Sequence, residues 1–316
     1  MNDDAPLRLG TRGSPLARWQ ADWVADQLTR RGFRVERVLI TTQGDVKTGP
    51  LGSFGGVGVF TKEIQRALLD RQIDLAVHSL KDLPTEPVPG LTLAAVPPRE
   101  APGDVLVSRH PGGLEGLPPA ARLGTGSTRR KAQLLHVRPD LRVEDIRGNV
   151  ETRLGKLDAG EYDAIVLAEA GLTRLGMVDR IQTVLPKTVI LPAIGQGALG
   201  LETRDDDART QAALRTLDDP ATHQAVLAER AFLATLRGGC LAPVGGWAQI
   251  QESAAPGDSP EPQLQLEGVV LSPDGRRRLA GQATGAACEA ELLGRRLAEE
   301  LLAQGALELI QAARTT

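Results

Sequence analysis

The sequence predicts an α/β protein with two doubly wound lobes and a smaller α+β domain at the C-terminal end. Three observations predict this fold class. From residue 7, short apolar runs alternate with helical patterns, in the strand–helix–strand order of parallel sheets. The same order returns after residue 103. Beyond residue 220 the strand–helix–strand order ends. It is followed by a long helix, segments of alternating apolar and polar residues with hairpin signals, and a helical tail from about Ala286.

The first lobe is predicted element by element. LRLGTR (7–12) is a strand, and Ser14 and Pro15 look like the N-cap and first residue of a helix that stops at Gly32. The elements that follow are a strand at FRVERVLI (33–40), a helix at TKEIQRALLDRQ (61–72) and a strand at IDLAVHS (73–79). This last strand is apolar on both faces, as expected for a buried parallel strand.

The second lobe repeats the pattern. Its elements are strands at 104–109, 122–127, 141–148 and 162–168, with helices from about Thr128 and Val150. Two proline- and glycine-rich stretches, VPPREAPGD (96–104) and ILPAIGQGALG (190–200), bracket this lobe and look like paired crossings between lobes. We therefore expect a first domain at residues 1–98 and 197–218, a second at 103–191, and a third at 220–316.

Composition limits the class of protein. The 316 residues are 41% hydrophobic and 24% charged, which is typical of a globular protein of two or three domains. Two cysteines are too few for a disulfide framework and lack metal-site spacing, so we expect a reduced, cytoplasmic setting and no metal. The acidic N-terminus and the absence of a long apolar run predict neither a signal peptide nor a membrane partner. A net charge of −3 and 3% aromatic residues argue against nucleic acid as a partner.

Arginines recur at strand ends and helix starts. They are Arg12, Arg129, Arg130, Arg147, Arg153 and Arg174. In an open α/β sheet the carboxyl ends of the strands face the ligand crevice, and the helix N-termini there favour anions. The set predicts a ligand with several carboxylates or phosphates, held by bidentate guanidinium contacts. Any one of these arginines is equally well explained as a solvated surface residue, but the whole set is not.

Two further stretches carry polar or glycine-rich signals. In HSLKDLP (78–84), Asp82 is either a surface partner of Lys81 or a carboxylate that stabilises a cationic intermediate or passes a proton. His78 is expected to be packed. The glycine-rich stretch TTQGDVKTGPLGSFGGVGVF (41–60) is either disordered or a lid that closes with Phe54 and Phe60, and it lacks the ending of a phosphate-binding loop.

A third stretch, LRGGCLAPVGG (236–246), places Cys240 between glycines and a proline-containing turn. Together with it, ordered motifs along nearly the whole chain resemble the hydroxymethylbilane synthase family, also called porphobilinogen deaminase. The motifs are TRGSPLARWQ, GVFTKEIQRALLDRQIDLAVHSLKDLPTE, GTGSTRRKAQL, IRGNVETRLGKLDAGEYDAIVLA, LPAIGQGALG and ERAFLATLRGGCLAPVG. Six motifs in this order are far more specific than any single one.

The resemblance implies a fold and a reaction. The family has two lobes resembling type II periplasmic binding proteins and a third α+β domain that carries a cysteine loop. That cysteine, here Cys240, holds a dipyrromethane cofactor through a thioether. Four porphobilinogen molecules are condensed onto it head to tail with loss of ammonia, and hydrolysis releases the linear tetrapyrrole for heme biosynthesis. The implied protein is a monomeric transferase.

The resemblance also implies roles for individual positions. Asp82 matches the catalytic carboxylate, and it shares cofactor contacts with Cys240, Lys81, Ser127, Arg129 and Arg130. Substrate contacts match Arg12, Ser14, Gln20, Arg147, Arg153 and Arg174, and Phe60 belongs to the lid. The sequence departs from the family at Val57, where the lid usually has a lysine. Cys288 matches no motif and is expected in the core.

Two other classes of function stay open at this stage. Two lobes around an anion-binding cleft also describe a solute receptor, although a receptor has no use for Cys240. A thiol acyltransferase would need a histidine near that thiol, and the sequence does not place His78, His110, His136 or His223 in space. The intact mass of the purified chain distinguishes these classes.

Overall fold

The structure is a computed structural model that describes residues 5–42, 61–239, 242–251 and 262–315. The chain forms two compact units, Met1–Glu100 with Ala198–His223, and Ala101–Gly197 with Gln224–Thr316. The predicted lid with Phe60, and Cys240 itself, lie outside the described residues. The three-domain division expected from the sequence stays a prediction.

The described part of the chain contains three sheets with helices packed on them. The strands are β1 (Leu7–Thr11), β2 (Val35–Leu39), β3 (Leu75–Ser79), β4 (Leu91–Ala95), β5 (Asp104–Ser108), β6 (Arg122–Gly124), β7 (Arg142–Glu144), β8 (Ala164–Ala168), β9 (Thr183–Leu185), β10 (Leu199–Arg204), β11 (Val244–Gln251), β12 (Gln263–Leu271) and β13 (Arg278–Ala286). The helices are α1 (Pro15–Arg30), α2 (Lys62–Leu69), α3 (Thr128–Val137), α4 (Val150–Asp158), α5 (Glu169–Arg174), α6 (Ala208–Arg215), α7 (Pro220–Thr235), α8 (Ala290–Ala303) and α9 (Ala306–Thr315).

The first unit is built on a five-stranded sheet of order β2-β1-β3-β10-β4. Strands β1, β2 and β3 are parallel, as the strand–helix–strand order predicts. β10 runs antiparallel to both of its neighbours, which this order does not predict. The core lies between the sheet and α1, where Leu9, Leu75 and Leu201 pack with Val24 and Leu28. Burial of these large side chains stabilises the unit and fixes the carboxyl ends of β1 and β3 next to each other.

The second unit contains another mixed sheet, of order β7-β6-β8-β5-β9. β6, β7 and β8 are parallel, and β5 is antiparallel to β8 and β9. Its apolar residues are buried on both faces, in one cluster around Leu106 and Val166 and another around Val105 and Ile165. The α/β fold class with two sheet–helix lobes is therefore confirmed.

The C-terminal residues of the second unit form the predicted α+β arrangement. β11, β12 and β13 make an antiparallel sheet, and Phe232 of α7 packs with Leu266 and Leu297 beneath it. The helical tail begins later than predicted because β13 extends to Ala286. The tail is also divided, since Gly305 adopts a φ of 97° that ends α8. Among the described helices, none combines the length and apolarity needed to cross a membrane.

The expected position of Cys288 in the core is wrong. Cys288 lies in a short 3-10 turn, Ala287–Glu289, and is exposed. The flanking Ala287 and Ala290 take the inward-facing positions instead. The apolar residues of this segment therefore gave no sign of the turn, whose middle residue faces solvent.

Candidate functional site

In the first unit, the candidate residues meet at the carboxyl edge of the sheet. β1 and β3 are parallel neighbours, so the residues that follow them lie side by side. Arg12 and Ser14 follow β1, and Lys81 and Asp82 follow β3 in a 3-10 turn, Leu80–Asp82. Arg12, Ser14, Gln20 and Asp82 line one pocket of about 70 Å³. The structure thus brings together four residues that are up to 70 positions apart in the sequence.

Helix α1 places two of these side chains. Ser14 caps the helix, because its hydroxyl accepts a hydrogen bond from the Ala17 amide at 3.4 Å, and Pro15 is the first helical residue. The predicted helix start is confirmed. One and a half turns later, Gln20 is buried and its Nε2 donates to the Ser79 Oγ at 2.9 Å. This bond connects α1 to the end of the strand that leads to Asp82.

The turn that carries Asp82 is anchored by its first residue, Leu80. Leu80 is buried, and its amide donates to the Ala198 carbonyl at 3.0 Å, just before β10. Lys81 and Asp82 are only partly buried and extend from this turn. The buried Leu80 therefore anchors the backbone of this turn, which places Asp82 at the edge of the pocket.

His78 is packed, as the sequence predicts. Its side chain is 3% exposed, and its Nε2 lies 3.1 Å from Oε2 of Glu202. The other oxygen of Glu202 accepts a hydrogen bond from Gln65 Nε2 at 3.0 Å. Sequence reasoning missed Glu202, and the only available signal was an acidic residue inside the apolar stretch ALGLETR (198–204).

In the second unit, the arginines gather where helices begin. β6, β7 and β8 are parallel, and α3, α4 and α5 follow them in turn, so the N-termini of these helices lie at one sheet edge. The Ser127 hydroxyl caps α3 by accepting from the Arg130 amide at 3.4 Å. Asn149 Oδ1 caps α4 by accepting from the Thr152 amide at 2.8 Å. Such helix ends attract anions through their amide groups and dipoles.

Arg129 and Arg130 are not solvated surface residues. Both are buried and both contact Asp104, the first residue of β5, whose carboxylate lies 2.7 Å from each guanidinium. Burial alone would raise the pKa of Asp104, but the attraction of the two guanidiniums outweighs it and holds that pKa well below its usual range. Burial lowers the pKa of Arg130 from its usual value. Sequence reasoning missed Asp104, which looked like the start of an ordinary strand.

Arg147 and Arg153 flank the cap of α4. Arg147 Nη2 lies 3.0 Å from Asp145 Oδ2, and Arg153 Nε donates to the Gly148 carbonyl at 2.8 Å. Both side chains are half-buried. The Nε of Arg147 is shielded from solvent and has no hydrogen-bond partner among the described residues. A shielded donor of this kind is what an anionic group on a ligand can satisfy.

Arg174 differs from the other arginines in its place on the helix. It is the last residue of α5, is buried, and donates from Nη2 to the Gly197 carbonyl at 2.7 Å. It therefore contacts the predicted crossing at 190–200 rather than a helix start. Because Arg174 is at the end of α5, its place in the helix does not put it beside the N-termini of α3 and α4.

Each unit by itself offers donors that suit a carboxylate. In the first unit, Arg12 and Ser14 line the pocket together with Asp82. In the second unit, Arg147 keeps one donor without a partner among the described residues. The acetate and propionate groups of a dipyrromethane would match these donors. In the described part of the chain, no three His, Cys, Asp or Glu side chains group in a way that could hold a metal ion.

Comparison with known proteins finds similar solved structures and a closely related sequence. Among solved structures, the chain is similar to an ABC-transporter periplasmic substrate-binding protein from Coxiella burnetii, with 16% identity, a TM-score of 0.43 and coverage of 71% of this chain and 94% of that one. It is also similar to the periplasmic aliphatic sulphonate binding protein SsuA from Escherichia coli, with 13% identity, a TM-score of 0.39 and coverage of 73% and 70%.

Much higher sequence similarity is found with a porphobilinogen deaminase from Desulforudis audaxviator, which is 50% identical over 305 residues and 96% of each chain. The model of the porphobilinogen deaminase dipyrromethane cofactor binding domain matches residues 7–212, and that of the porphobilinogen deaminase C-terminal domain matches residues 223–303. On these matches, the chain belongs to the porphobilinogen deaminase family.

Proposed function

We propose that this chain is a hydroxymethylbilane synthase, a transferase of tetrapyrrole biosynthesis. It condenses four porphobilinogen molecules, one at a time, onto a dipyrromethane attached to Cys240 by a thioether, and then releases hydroxymethylbilane by hydrolysis. The observation that carries this proposal is the 50% identity to a porphobilinogen deaminase over 96% of both chains. The family match over residues 7–212 supports the cofactor assignment, because that domain is named for dipyrromethane binding.

The arginines and hydroxyl groups bind carboxylates in this proposal. Each pyrrole of the substrate carries an acetate and a propionate, and guanidinium groups bind such anions through paired hydrogen bonds. The cofactor is held by Lys81, Ser127, Arg129 and Arg130, with Asp82 at its pyrrole nitrogens. The substrate and the growing chain are held by Arg12, Ser14, Gln20, Arg147, Arg153 and Arg174.

Asp82 acts on the charge that develops in the reaction. When the bond between the aminomethyl carbon and nitrogen of porphobilinogen breaks, ammonia leaves with the electron pair and the substrate becomes a cation. A carboxylate about 4 Å away, at an effective dielectric constant near 20, contributes roughly 4 kcal/mol of attraction. The dipyrromethane supplies the nucleophilic pyrrole carbon that begins the chain. The position of Asp82 at a pocket beside Arg12 supports this role.

The chain is further proposed to act as a cytoplasmic monomer. The support is the family resemblance together with two cysteines outside any disulfide-type spacing. Size-exclusion chromatography with light scattering measures the oligomeric state, and a dimer mass at micromolar concentration contradicts the monomer.

Intact mass spectrometry tests the proposal. Wild type is expected to be heavier than its translated chain by two linked pyrrole units on Cys240. Cys240→Ala should abolish both this mass and turnover, whereas the matched control Cys288→Ala should keep both, because Cys288 is exposed and away from every family motif. A short pulse of porphobilinogen should add further pyrrole units in steps.

Each alternative function has its own outcome in the same experiment. An unmodified chain that binds porphobilinogen reversibly indicates a solute receptor. An acyl mass on Cys240 indicates an acyltransferase. Either result overturns the proposal.

A further inference from the structure

The Asp104 carboxylate is the centre of a buried polar cluster in the second unit. Its side chain is fully buried at the start of β5. Oδ2 accepts from Arg129 Nη1 at 2.7 Å. Oδ1 accepts from Arg130 Nε at 2.8 Å and from Gln196 Nε2 at 3.1 Å. One carboxylate therefore holds two neighbouring guanidiniums of α3.

Backbone carbonyls fix the other edges of the same guanidiniums. Arg129 Nη1 also donates to the Leu191 carbonyl, and Arg130 Nη1 donates to the Val166 carbonyl at 2.9 Å. With Asp104 on one side and a carbonyl on the other, neither planar group can rotate without breaking several bonds at once. The orientation of both forks is thus set before any ligand arrives.

The charges of this cluster do not cancel. Two arginines and one aspartate leave a formal charge of +1 in a region from which water is largely excluded. An unbalanced buried charge is costly, and an anion from a ligand would offset it. The Nε of Arg129 is enclosed and has no partner among the described residues, so the cluster also keeps one unused donor. Both features suit an incoming carboxylate.

We propose that Asp104 is a positioning residue for the cofactor: it orients Arg129 and Arg130 and neutralises one of their two charges, so that the pair accepts a single carboxylate of the dipyrromethane. Asp104 acts through the arginines and does not itself touch the cofactor. This inference rests on the proposed function. Its alternative is a purely structural ion cluster that maintains the fold of the lobe.

The first unit provides a matched structural cluster for comparison. Asp74 also holds two arginines, with Oδ1 at 2.7 Å from Arg8 Nη2 and 3.3 Å from Arg204 Nη2. None of these three residues is a candidate site residue. Loss of either carboxylate is expected to destabilise its unit, but only loss of Asp104 should disturb cofactor binding.

The test measures cofactor loading directly. Full-length apoprotein, produced without a source of porphobilinogen, is mixed with porphobilinogen, and intact mass spectrometry follows the gain of two pyrrole units. Asp104→Asn should load roughly tenfold more slowly than wild type or worse, the scale on which outer-shell partners act on the groups they orient. Asp74→Asn should load at the wild-type rate even though its melting temperature falls.

Two further variants keep the test decisive. Arg130→Gln is expected to block loading altogether, whereas Asp104→Asn keeps both arginines and loses only their orientation, so it should load more slowly than wild type but faster than Arg130→Gln. If Asp104→Asn fails to fold, Gln196→Met removes one donor to Asp104 with little change in side-chain size, and loading should again slow. Wild-type loading rates in folded Asp104→Asn, or in Gln196→Met where the aspartate variant is lost, overturn the inference.

Failure of the proposed function would look different. In that case wild-type apoprotein itself would gain no pyrrole mass. Wild type that loads normally while Asp104→Asn and Asp74→Asn slow equally would leave the function intact and show that Asp104 is only structural.

Discussion

The Gln20 carboxamide and the Ser79 hydroxyl are joined by a hydrogen bond of 2.9 Å between Nε2 and Oγ. Gln20 is buried in the first helix, and Ser79 is the last residue of β3. The turn that carries Asp82 begins directly after Ser79. This bond therefore links the capped helix at the pocket to the strand end that positions the carboxylate.

Replacement of Asp82 tests its charge. Asp82→Asn keeps the shape of the side chain but removes the anion that faces the developing cation, so we expect turnover to fall by about 10²-fold or more. Steady-state kinetics with porphobilinogen measures this. The control is Glu86→Gln, an exposed carboxylate four residues later, which should leave turnover unchanged. If Asp82→Asn keeps its turnover within a few fold of wild type, Asp82 is only a surface partner of Lys81.

The bond between Gln20 and Ser79 gives a prediction about stability. Ser79→Ala leaves the buried Gln20 amide without this partner, and we expect a loss of about 1–3 kcal/mol in the free energy of unfolding. The double variant Gln20→Leu, Ser79→Ala removes both polar groups and should recover part of that loss. Urea unfolding measures all three proteins.

Kinetics of the same variants separates the two roles of Gln20. If Gln20 also contacts substrate, the double variant should regain stability but keep a raised KM. A normal KM in the double variant would show that Gln20 serves the fold alone.

Local signals in the sequence predicted much of the fold and the pocket edge. Ser14 before Pro15 is a short-range cap signal, and the cap is present. The apolar run that ends at Ser79 is a strand, and Asp82, which follows it, does line the pocket. These features depend on neighbours within a few positions, which is why the sequence carries them.

Other features depend on contacts between distant residues. Asp104 contacts Arg129 and Arg130 about 25 positions away, and Glu202 contacts His78 across 124 positions. Pairing of this kind leaves no local pattern, because an acidic residue at a strand start and one inside a strand look alike whether or not a partner is near. The exposure of Cys288 was missed for the same reason. Whether Cys288 is buried depends on how the neighbouring Ala287 and Ala290 pack, and these two residues are the buried ones.

Different arginines are expected to bind different pyrrole units as the chain grows. Arg129 and Arg130 share Asp104, whereas Arg147 and Arg174 have separate partners, Asp145 and the Gly197 carbonyl. Replacement of Arg129 or Arg130 should therefore block cofactor assembly. Replacement of Arg147 or Arg174 should leave holoenzyme that stalls after one to three added units, and native mass spectrometry after a porphobilinogen pulse resolves these species. Equal loss of affinity in every variant, with no stalled species, would refute the division.

The low pKa of Asp104 predicts how stability depends on pH. In the folded chain this pKa lies well below the usual value of 3.8, to which it returns on unfolding. The unfolded chain therefore takes up a proton first as the pH falls, so the contribution of Asp104 is complete above about pH 5 and declines below it. Asp104→Asn should cost about 3–5 kcal/mol near neutral pH, as expected when one member of a buried ion pair is removed.

Urea unfolding of wild type and Asp104→Asn between about pH 7 and pH 3 checks the direction of this pH dependence. The difference between their free energies of unfolding should stay constant from about pH 7 to pH 5 and narrow towards pH 3. A difference that widens as the pH falls would contradict the direction of the pKa shift.

Gly148 gives the last prediction, because it lies between Arg147 and the Asn149 cap of α4. Its φ is 112°, and a Cβ there would lie 2.7 Å from Thr152 Cβ. Gly148→Ala should therefore cost more than about 1 kcal/mol, since both the backbone conformation and the space exclude a side chain.

The same change should also disturb the candidate site. Arg153 Nε donates to the Gly148 carbonyl, so a shift of this peptide should move Arg153 and raise the KM for porphobilinogen more than it lowers kcat. The matched control is Gly155→Ala within α4 itself, where a Cβ meets open space. That variant should gain up to about 1 kcal/mol from helix propensity and keep its KM. If both variants change stability in the same direction and neither changes KM, Gly148 has no part in placing Arg153.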